Sequence, residues 1–311
     1  PGIRCGGMKL PDFFVIGAPK AGTTALFHTI RQHPGIYMSP VKEPHFFTWE
    51  GQPPVYPGPL GTYPRRYAVW EPHRYAQLFA AATEGQIAGE ASPTYLDSPL
   101  AAGRIRKSLP RSRIVVILRQ PAERAYSNYQ QMRQYALERK SSFTAALAAE
   151  EQRRNDGWLS WFFYRKNGFY HPQLSVWCDL FPREQIRVYL YEDWREKPRE
   201  MIRDLFDFLE VDPGFSPAIS RRNVTLLPRS RRLYRWANHP ESIEQRASFL
   251  PAPARRIMVA TLRGIDGRVN RRPPPPLAPE IHAGLTAGYR EDILNLQDLI
   301  GRDLTHWLKS R

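Results

Sequence analysis

The run Asp12–Ile30, DFFVIGAPKAGTTALFHTI, constrains this chain more than any other stretch. Its first part, DFFVIGA over Asp12–Ala18, has the length and composition of a buried parallel strand. A helix is expected from about Thr23 to Gln32, ending before HPG. Between them lies GAPKAGTT, Gly17–Thr24. A strand-to-helix turn aims backbone N–H groups and the positive helix end at one point, which favours an anion. Gly17 and Gly22 let the chain bend tightly and approach a ligand, Thr23 and Thr24 add hydroxyls, and Lys20 adds a mobile cation. The bland alternative is a turn whose lysine is merely solvated. A nucleotide triphosphatase would read G-x-x-x-x-G-K-[ST]. Here Gly17 and Gly22 keep that spacing, but Thr23 holds the lysine's place and Lys20 precedes Gly22. A second apolar strand ending in a magnesium-holding Asp is not evident, IAGEAS (Ile87–Ser92) being the nearest. The cradle reads as one for a phosphate whose chemistry needs no metal.

Further apolar runs alternate with helical patterns. GQIAGEASPTYL (Gly85–Leu96) is a short strand entering a turn, RIVVILR (Arg113–Arg119) a central strand, and QIRVYLYEDW (Gln185–Trp194) a fourth. Helices are expected over Tyr75–Ala82, over Pro121–Glu138 with Pro121 at its first position, near 143–153, near 170–181 and over Pro198–Val211. PVKEPHFFTW (Pro40–Trp49) is proline-broken and reads as a loop or edge segment, and 50–66 as an ordered surface loop. This alternation predicts an α/β fold of three layers, a central parallel sheet of about five strands with helices on both faces. No internal repeat is evident. From Arg221 the chain becomes basic and irregular, and NRRPPPPLAPE (Asn270–Glu280) reads as a stiff polyproline linker. A last helix over about Pro279–Leu308 carries Leu285, Tyr289, Ile293, Leu296, Ile300, Leu304 and Trp307 at helical spacing, a core-facing stripe. One domain is expected over 8–311, with a core over 12–220 and a closing segment over 221–311.

With 311 residues, 42% hydrophobic, the chain can bury a large core. A net charge of +15 and a pI near 10.0 point to an anionic partner or substrate, unless they reflect only a basic surface. Nucleic acid is disfavoured, because neither zinc-ligand spacing nor a long basic tail is present. Two cysteines, Cys5 and Cys178, make no disulfide framework and suggest a reducing, cytoplasmic setting. No apolar run is long enough to span a membrane, and PGIRCGG lacks a signal peptide's apolar stretch. Met8 fits a native start, while a lost upstream anchor would instead suit the Golgi lumen.

The central strand runs into LRQPAERAYSNY (Leu118–Tyr129). Ligands of parallel α/β sheets bind beyond the strands' carboxyl ends, so Arg119 emerges on the same edge as Gly17–Thr24. With Ser127 two turns into the next helix it makes a second phosphate site, unless Arg119 serves a structural ion pair. Arg124 reads as a helix-surface charge.

PKAGTT after one strand and LRQPAERAYSNY after another resemble the two cofactor signatures of sulfotransferases that use 3'-phosphoadenosine 5'-phosphosulfate (PAPS). The resemblance implies that Lys20, Ala21, Gly22, Thr23 and Thr24 hold the 5'-phosphosulfate, that Arg119 and Ser127 hold the 3'-phosphate, and that Lys20 stabilises the leaving phosphate. HPGIYMSPVKEPHFF (His33–Phe47) is similar to the segment carrying the catalytic glutamate in heparan-type and bacterial carbohydrate sulfotransferases. It implies Glu43 as base, with His45 as substitute if Glu43 points away. GEASPTYL (Gly89–Leu96) matches another segment, with Ala91 where heparan 3-O-sulfotransferases carry a substrate-engaging lysine. Thr24 likewise replaces a basic residue of those enzymes. RRNVTLLPRSRRL (Arg221–Leu233) takes the place of the cofactor-closing loop, with Arg229 its expected contact, or else is a solvated basic face. The implied partner is a saccharide or small hydroxylated acceptor, with no metal; oligomeric state is left open. Trp49, Tyr56, Trp158, Trp161 and Phe162 either flank its cleft or belong to the core. A magnesium-dependent P-loop kinase and a non-catalytic basic polyanion-binding protein are the competing readings.

Overall fold

A computed structural model describes residues 9–59, 61, 68–219, 226–238 and 251–309. Its centre is a five-stranded sheet of β1 (Phe13–Gly17), β2 (Ile36–Met38), β3 (Ile87–Ala91), β4 (Arg113–Leu118) and β5 (Ile186–Leu190), in the order β2-β3-β1-β4-β5. Every pairing is parallel, as the α/β reading expects. FFVIG in β1 is wholly buried, as is RIVVIL in β4 apart from its first residue. Such two-sided burial is why both read as unbroken apolar runs rather than alternating ones.

Helices cover both faces. In chain order they are α1 (Thr23–Ile30), α2 (Phe46–Trp49), α3 (Pro72–Gln77), α4 (Pro99–Ser108), α5 (Pro121–Gln134), α6 (Phe143–Ala148), α7 (Glu150–Asn155), α8 (Tyr170–Leu180), α9 (Tyr191–Glu196) and α10 (Pro198–Phe208). After them come α11 (Arg231–Asn238), α12 (Ala252–Val269), α13 (Pro279–Gly288) and α14 (Arg290–Ile300). The chain leaves β1 toward β2 on one side, and leaves β3 and β4 toward the other. Right-handed crossovers then place α1 and α4 on opposite faces. The chain changes direction between adjacent β1 and β4, and ligands of such sheets bind beyond the carboxyl ends of the strands at this point.

Several elements differ from expectation. β2, three residues long, is too short for periodicity to reveal. The strand expected to Trp194 stops at Leu190, because Asp193 turns back to accept the Leu190 N–H at 2.8 Å and starts α9. The helix near 143–153 is two short ones, α6 and α7. The segment expected as a loop over 40–49 contains α2. Within the polyproline linker, β7 (Arg271–Arg272) pairs antiparallel with β6 (Leu227–Pro228). The single helix expected over Pro279–Leu308 breaks at Tyr289, after the poor helix former Gly288, and α14 ends at left-handed Gly301. Its seven stripe residues are all buried, as expected of a core face. Asp292 on α14 accepts the N–H of Tyr170 at 2.8 Å and of His171 at 3.2 Å, supplying a cap to α8 from across the fold.

Candidate active site

The Gly17–Thr24 turn stands at the carboxyl end of β1, and Arg119 one residue beyond β4. The two strands are neighbours, and the Ala18 N–H bonds the Ile117 carbonyl at 2.6 Å. Gly22 begins α1 at φ 99°, and a Cβ there would lie 3.3 Å from the Tyr191 ring. Both the angle and the close ring select glycine. At Gly17 a Cβ would meet Leu96 at 2.7 Å, so the turn seats directly on the segment after β3. In the first turn of α1 the N–H groups of Thr23 and Thr24 have no carbonyl a turn behind them to bond. Ala21 and Thr23 are buried, and Thr24 is half-buried.

Lys20 lies half-buried at φ 73°. Burial, and after it the Arg119 guanidinium, pull its amine down to about 8, against the opposing pull of Glu43. Arg119 reaches the Lys20 carbonyl with a long 3.4 Å contact, and its guanidinium lies 4.9 Å from the Tyr191 ring centre. Its Nε and Nη2 donate to Glu123 at 3.2 and 3.0 Å. Glu123 and Ser127 are four residues apart on α5 and share a face, so Ser127 lies on the side of the helix that carries the Arg119–Glu123 pair. Ser127 is half-buried.

Glu43 comes to the same cluster, its charge acting on Lys20, and His45 lies against Glu43. Both have positive φ, 63° and 55°. With Lys20 they make three strained non-glycine backbones at one site, the kind of strain that persists where function demands a geometry. The Glu43 N–H bonds the Ala91 carbonyl at 3.0 Å, and the His45 N–H bonds Ser92 Oγ at 3.1 Å. These ties hang the proline-broken loop on the end of β3. Burial pushes the Glu43 carboxyl up, but Lys42, His45 and Lys20 together outweigh it and hold it below the usual range. It forms an ion pair with Lys42, and its Oε2 lies 3.7 Å from His45 Nε2. Burial pulls His45 down to about 4, so the imidazole is neutral at physiological pH. Its Nδ1 bonds Thr94 Oγ1 at 2.8 Å, while Nε2 is buried with no hydrogen bond. Glu43 thus lies among Lys20, Lys42 and His45, with the His45 ring behind it.

An aromatic wall stands beside this loop. Trp49 donates to the Tyr56 hydroxyl at 2.6 Å, and Trp161 lies 6.3 Å from the His45 ring. Phe162 is core, whereas Tyr56, Trp158 and Trp161 are half-exposed. A cavity of about 780 Å³ opens beyond Leu96 and Asp97, with Phe169 and Lys166 also lining it.

One expected position differs. Arg124 is not a surface charge: it is fully buried, and its Nη2 bonds the Tyr164 carbonyl. Position 124 faces the α5 core side together with Asn128, a face that periodicity of mixed polar residues does not disclose. Arg229 is exposed, its N–H bonding the Asn270 carbonyl at 2.8 Å on the β6–β7 ribbon. Residues 221–225 of the expected closing loop, and Cys5 and Met8, lie outside the described residues. Sequence reasoning missed Glu123 and Tyr191. The four-residue spacing from Arg119 could have shown the first; the second follows only from the sheet order.

Glu90 is fully buried on β3 behind the site. It accepts a hydrogen bond from Tyr75 and another from Ser92 Oγ at 2.6 Å. Burial pushes its carboxyl up to about 7 from a starting value of 4.5. The folded state therefore binds an extra proton between these values, and this group's contribution to stability falls as pH rises across that window, by at most about 3 kcal/mol. Glu90→Gln is expected to flatten the fall in urea-unfolding free energy between pH 5 and 8 relative to the parent. An identical slope in both would show that Glu90 does not titrate there.

Among the described residues no helix is long and apolar enough to cross a membrane, and no group of three or more His, Cys, Asp or Glu could hold a metal ion. Over 97% of its length the chain is similar to all of a sulfotransferase from Alicyclobacillus acidocaldarius of known crystal structure, with 28% identity and a TM-score of 0.73. It is 27% identical over 275 residues to carbohydrate sulfotransferase 15 of Homo sapiens, a match covering 73% of this chain and 47% of that protein. It is 23% identical over 292 residues to the membrane-associated sulfotransferase kil1 of Dictyostelium discoideum, covering 69% and 59% respectively. The chain spans about half the length of these curated relatives. Residues 10–224, more than half of the chain, match the family model described as the sulfotransferase domain, and the chain therefore belongs to the sulfotransferase family.

Proposed function

We propose that this chain transfers the sulfonate of PAPS to a hydroxyl or amine of an acceptor and releases adenosine 3',5'-bisphosphate (PAP). The observation that carries the reading is the pairing of two anion sites on adjacent strand ends, at the sheet's change of direction, with an ionised carboxylate facing them. PAPS supplies a sulfonate already activated on a phosphate leaving group. The turn at Lys20–Thr24 holds the 5' end through the α1 N–H groups and the threonine hydroxyls. Arg119 and Ser127 hold the 3'-phosphate, with Tyr191 bracing the guanidinium and Glu123 keeping it in place until the phosphate arrives. Lys20 supplies positive charge where the leaving phosphate gains negative charge. Glu43 takes the acceptor's proton, and neutral His45, held by Thr94, packs against Trp49 and keeps that side of the carboxylate dry.

The acceptor is a carbohydrate or a small hydroxylated metabolite. The half-exposed aromatic wall supports this, since flat rings cover the apolar faces of sugars while leaving their hydroxyls free. So does the resemblance to relatives named for carbohydrates. Ala91, buried at the end of β3, offers no cation to an acidic sugar. Residues 8–311 act as one unit in this reading. Gln120, next to Arg119, bonds Thr286 at 2.9 Å and the Trp307 carbonyl at 3.3 Å, which supports it. A cytoplasmic setting belongs to the same proposal and rests on the sparse cysteines.

Calorimetric titration with PAP in the presence of a chelator tests the reading. Micromolar binding is expected, weakened about 10- to 100-fold in Arg119→Ala, which loses charge-assisted hydrogen bonds. Binding of ATP only with magnesium would favour the kinase. Salt-screened binding of any polyanion, indifferent to Arg119, would favour the non-catalytic reading.

A further inference from the structure

Helices α11 and α12 pack on each other, α11 following β6 and α12 preceding β7 of the antiparallel ribbon. Its inner face is closed: Tyr234, Ala237 and Asp266 are buried, and Asp266 accepts from Asn270 at 2.7 Å and from Asn238 at 3.2 Å. The outer face of α12 is open. Ile257 is 68% exposed and Ile265 42%, two of the five large apolar side chains exposed so far among the described residues. Ala260, Thr261 and Gly264 lie between them at helical spacing and are exposed too. Arg256 and Arg263, seven residues apart, run along one edge of this stripe and are exposed. Arg263 Nε bonds the Ala237 carbonyl at 2.9 Å, which anchors its stem beside the stripe. The helix contains a single acid, Asp266, and that one is turned inward.

We propose that this face of α12 docks on an anionic phospholipid bilayer. The isoleucines enter the boundary between headgroups and acyl chains, and Arg256 and Arg263 meet lipid phosphates. A soluble polyanion would satisfy the arginines but leave the isoleucines in water. A second copy packed antiparallel on this face about a two-fold axis would bring the same basic edge against itself. The chain's net charge of +15 favours an anionic surface. The inference does not depend on the activity proposed above, since binding is read without cofactor.

Co-sedimentation of the whole chain with phosphatidylcholine vesicles, with and without phosphatidylglycerol, is the test. Binding is expected only with the anionic lipid. Ile257→Ser and Ile265→Ser should each weaken it about tenfold, and Arg256→Glu about as much. Melting temperatures should be unchanged, since these side chains are exposed. Absence of binding by the parent chain would overturn the proposal. So would binding that ignores the isoleucine substitutions, which marks charge attraction alone. A parent dimer in sedimentation velocity that the serine variants dissolve would assign the face to a second copy instead.

Discussion

Lys20→Ala is expected to lower kcat about 100- to 1,000-fold while leaving PAP affinity within a few-fold of the parent. In the proposed reading the α1 N–H groups and Arg119 still hold the resting cofactor, but the charge that grows on the leaving phosphate loses the Lys20 cation. Removing one preorganised donor from such a position costs about that factor. The pH dependence has a definite sign. With its amine drawn down to about 8, the free protein loses the Lys20 proton as pH rises past that value. A bound anion pulls the proton back, so kcat/KM should fall between pH 7 and 9 more steeply than kcat, and PAP binding at pH 8 should take up protons. Calorimetry in buffers of differing ionisation enthalpy reads that uptake. A Lys20→Ala chain that turns over at the parental rate would remove this lysine from the mechanism.

Glu43→Gln should lower kcat about 100- to 10,000-fold, the range for loss of a general base, with cofactor affinity retained. Glutamine preserves the shape and the contact with Lys42 but cannot take the proton. Because Lys42, His45 and Lys20 hold the carboxyl below its usual range, the parent should keep full activity down to pH 5 and decline only in stronger acid. His45→Ala should cost less, since a ring drawn down to about 4 is a weak base and its contacts are those of a support. A larger loss in kcat for His45→Ala than for Glu43→Gln, each with an intact fold, would make His45 the group that moves the proton.

Most of the candidate residues' positions were legible. Lys20, Thr23, Thr24 and Arg119 sit at junctions of elements that apolar runs and prolines mark clearly. A parallel sheet puts all such junctions on one edge, so placing the strands placed the residues. Glu43 was legible through family resemblance alone. Its loop has no periodicity, and its direction is set by a positive φ and by the Ala91 carbonyl, neither visible in a string of letters. Arg124 shows the limit in the other direction. A polar residue on a helix of mixed pattern reads as solvated, yet α5 is wrapped on several sides and buries it.

The amino-acid order by itself determined which segments are strand and which are turn around the phosphate cradle, because burial on both faces and glycine geometry act within a few residues. The tertiary structure alone decided that β1 and β4 are neighbours and that Tyr191 lies between Gly22 and Arg119. It also decided that Asp292 caps a helix 122 residues away. Those choices depend on which apolar faces pack together, a free energy summed over the whole core rather than written in any one stretch of it.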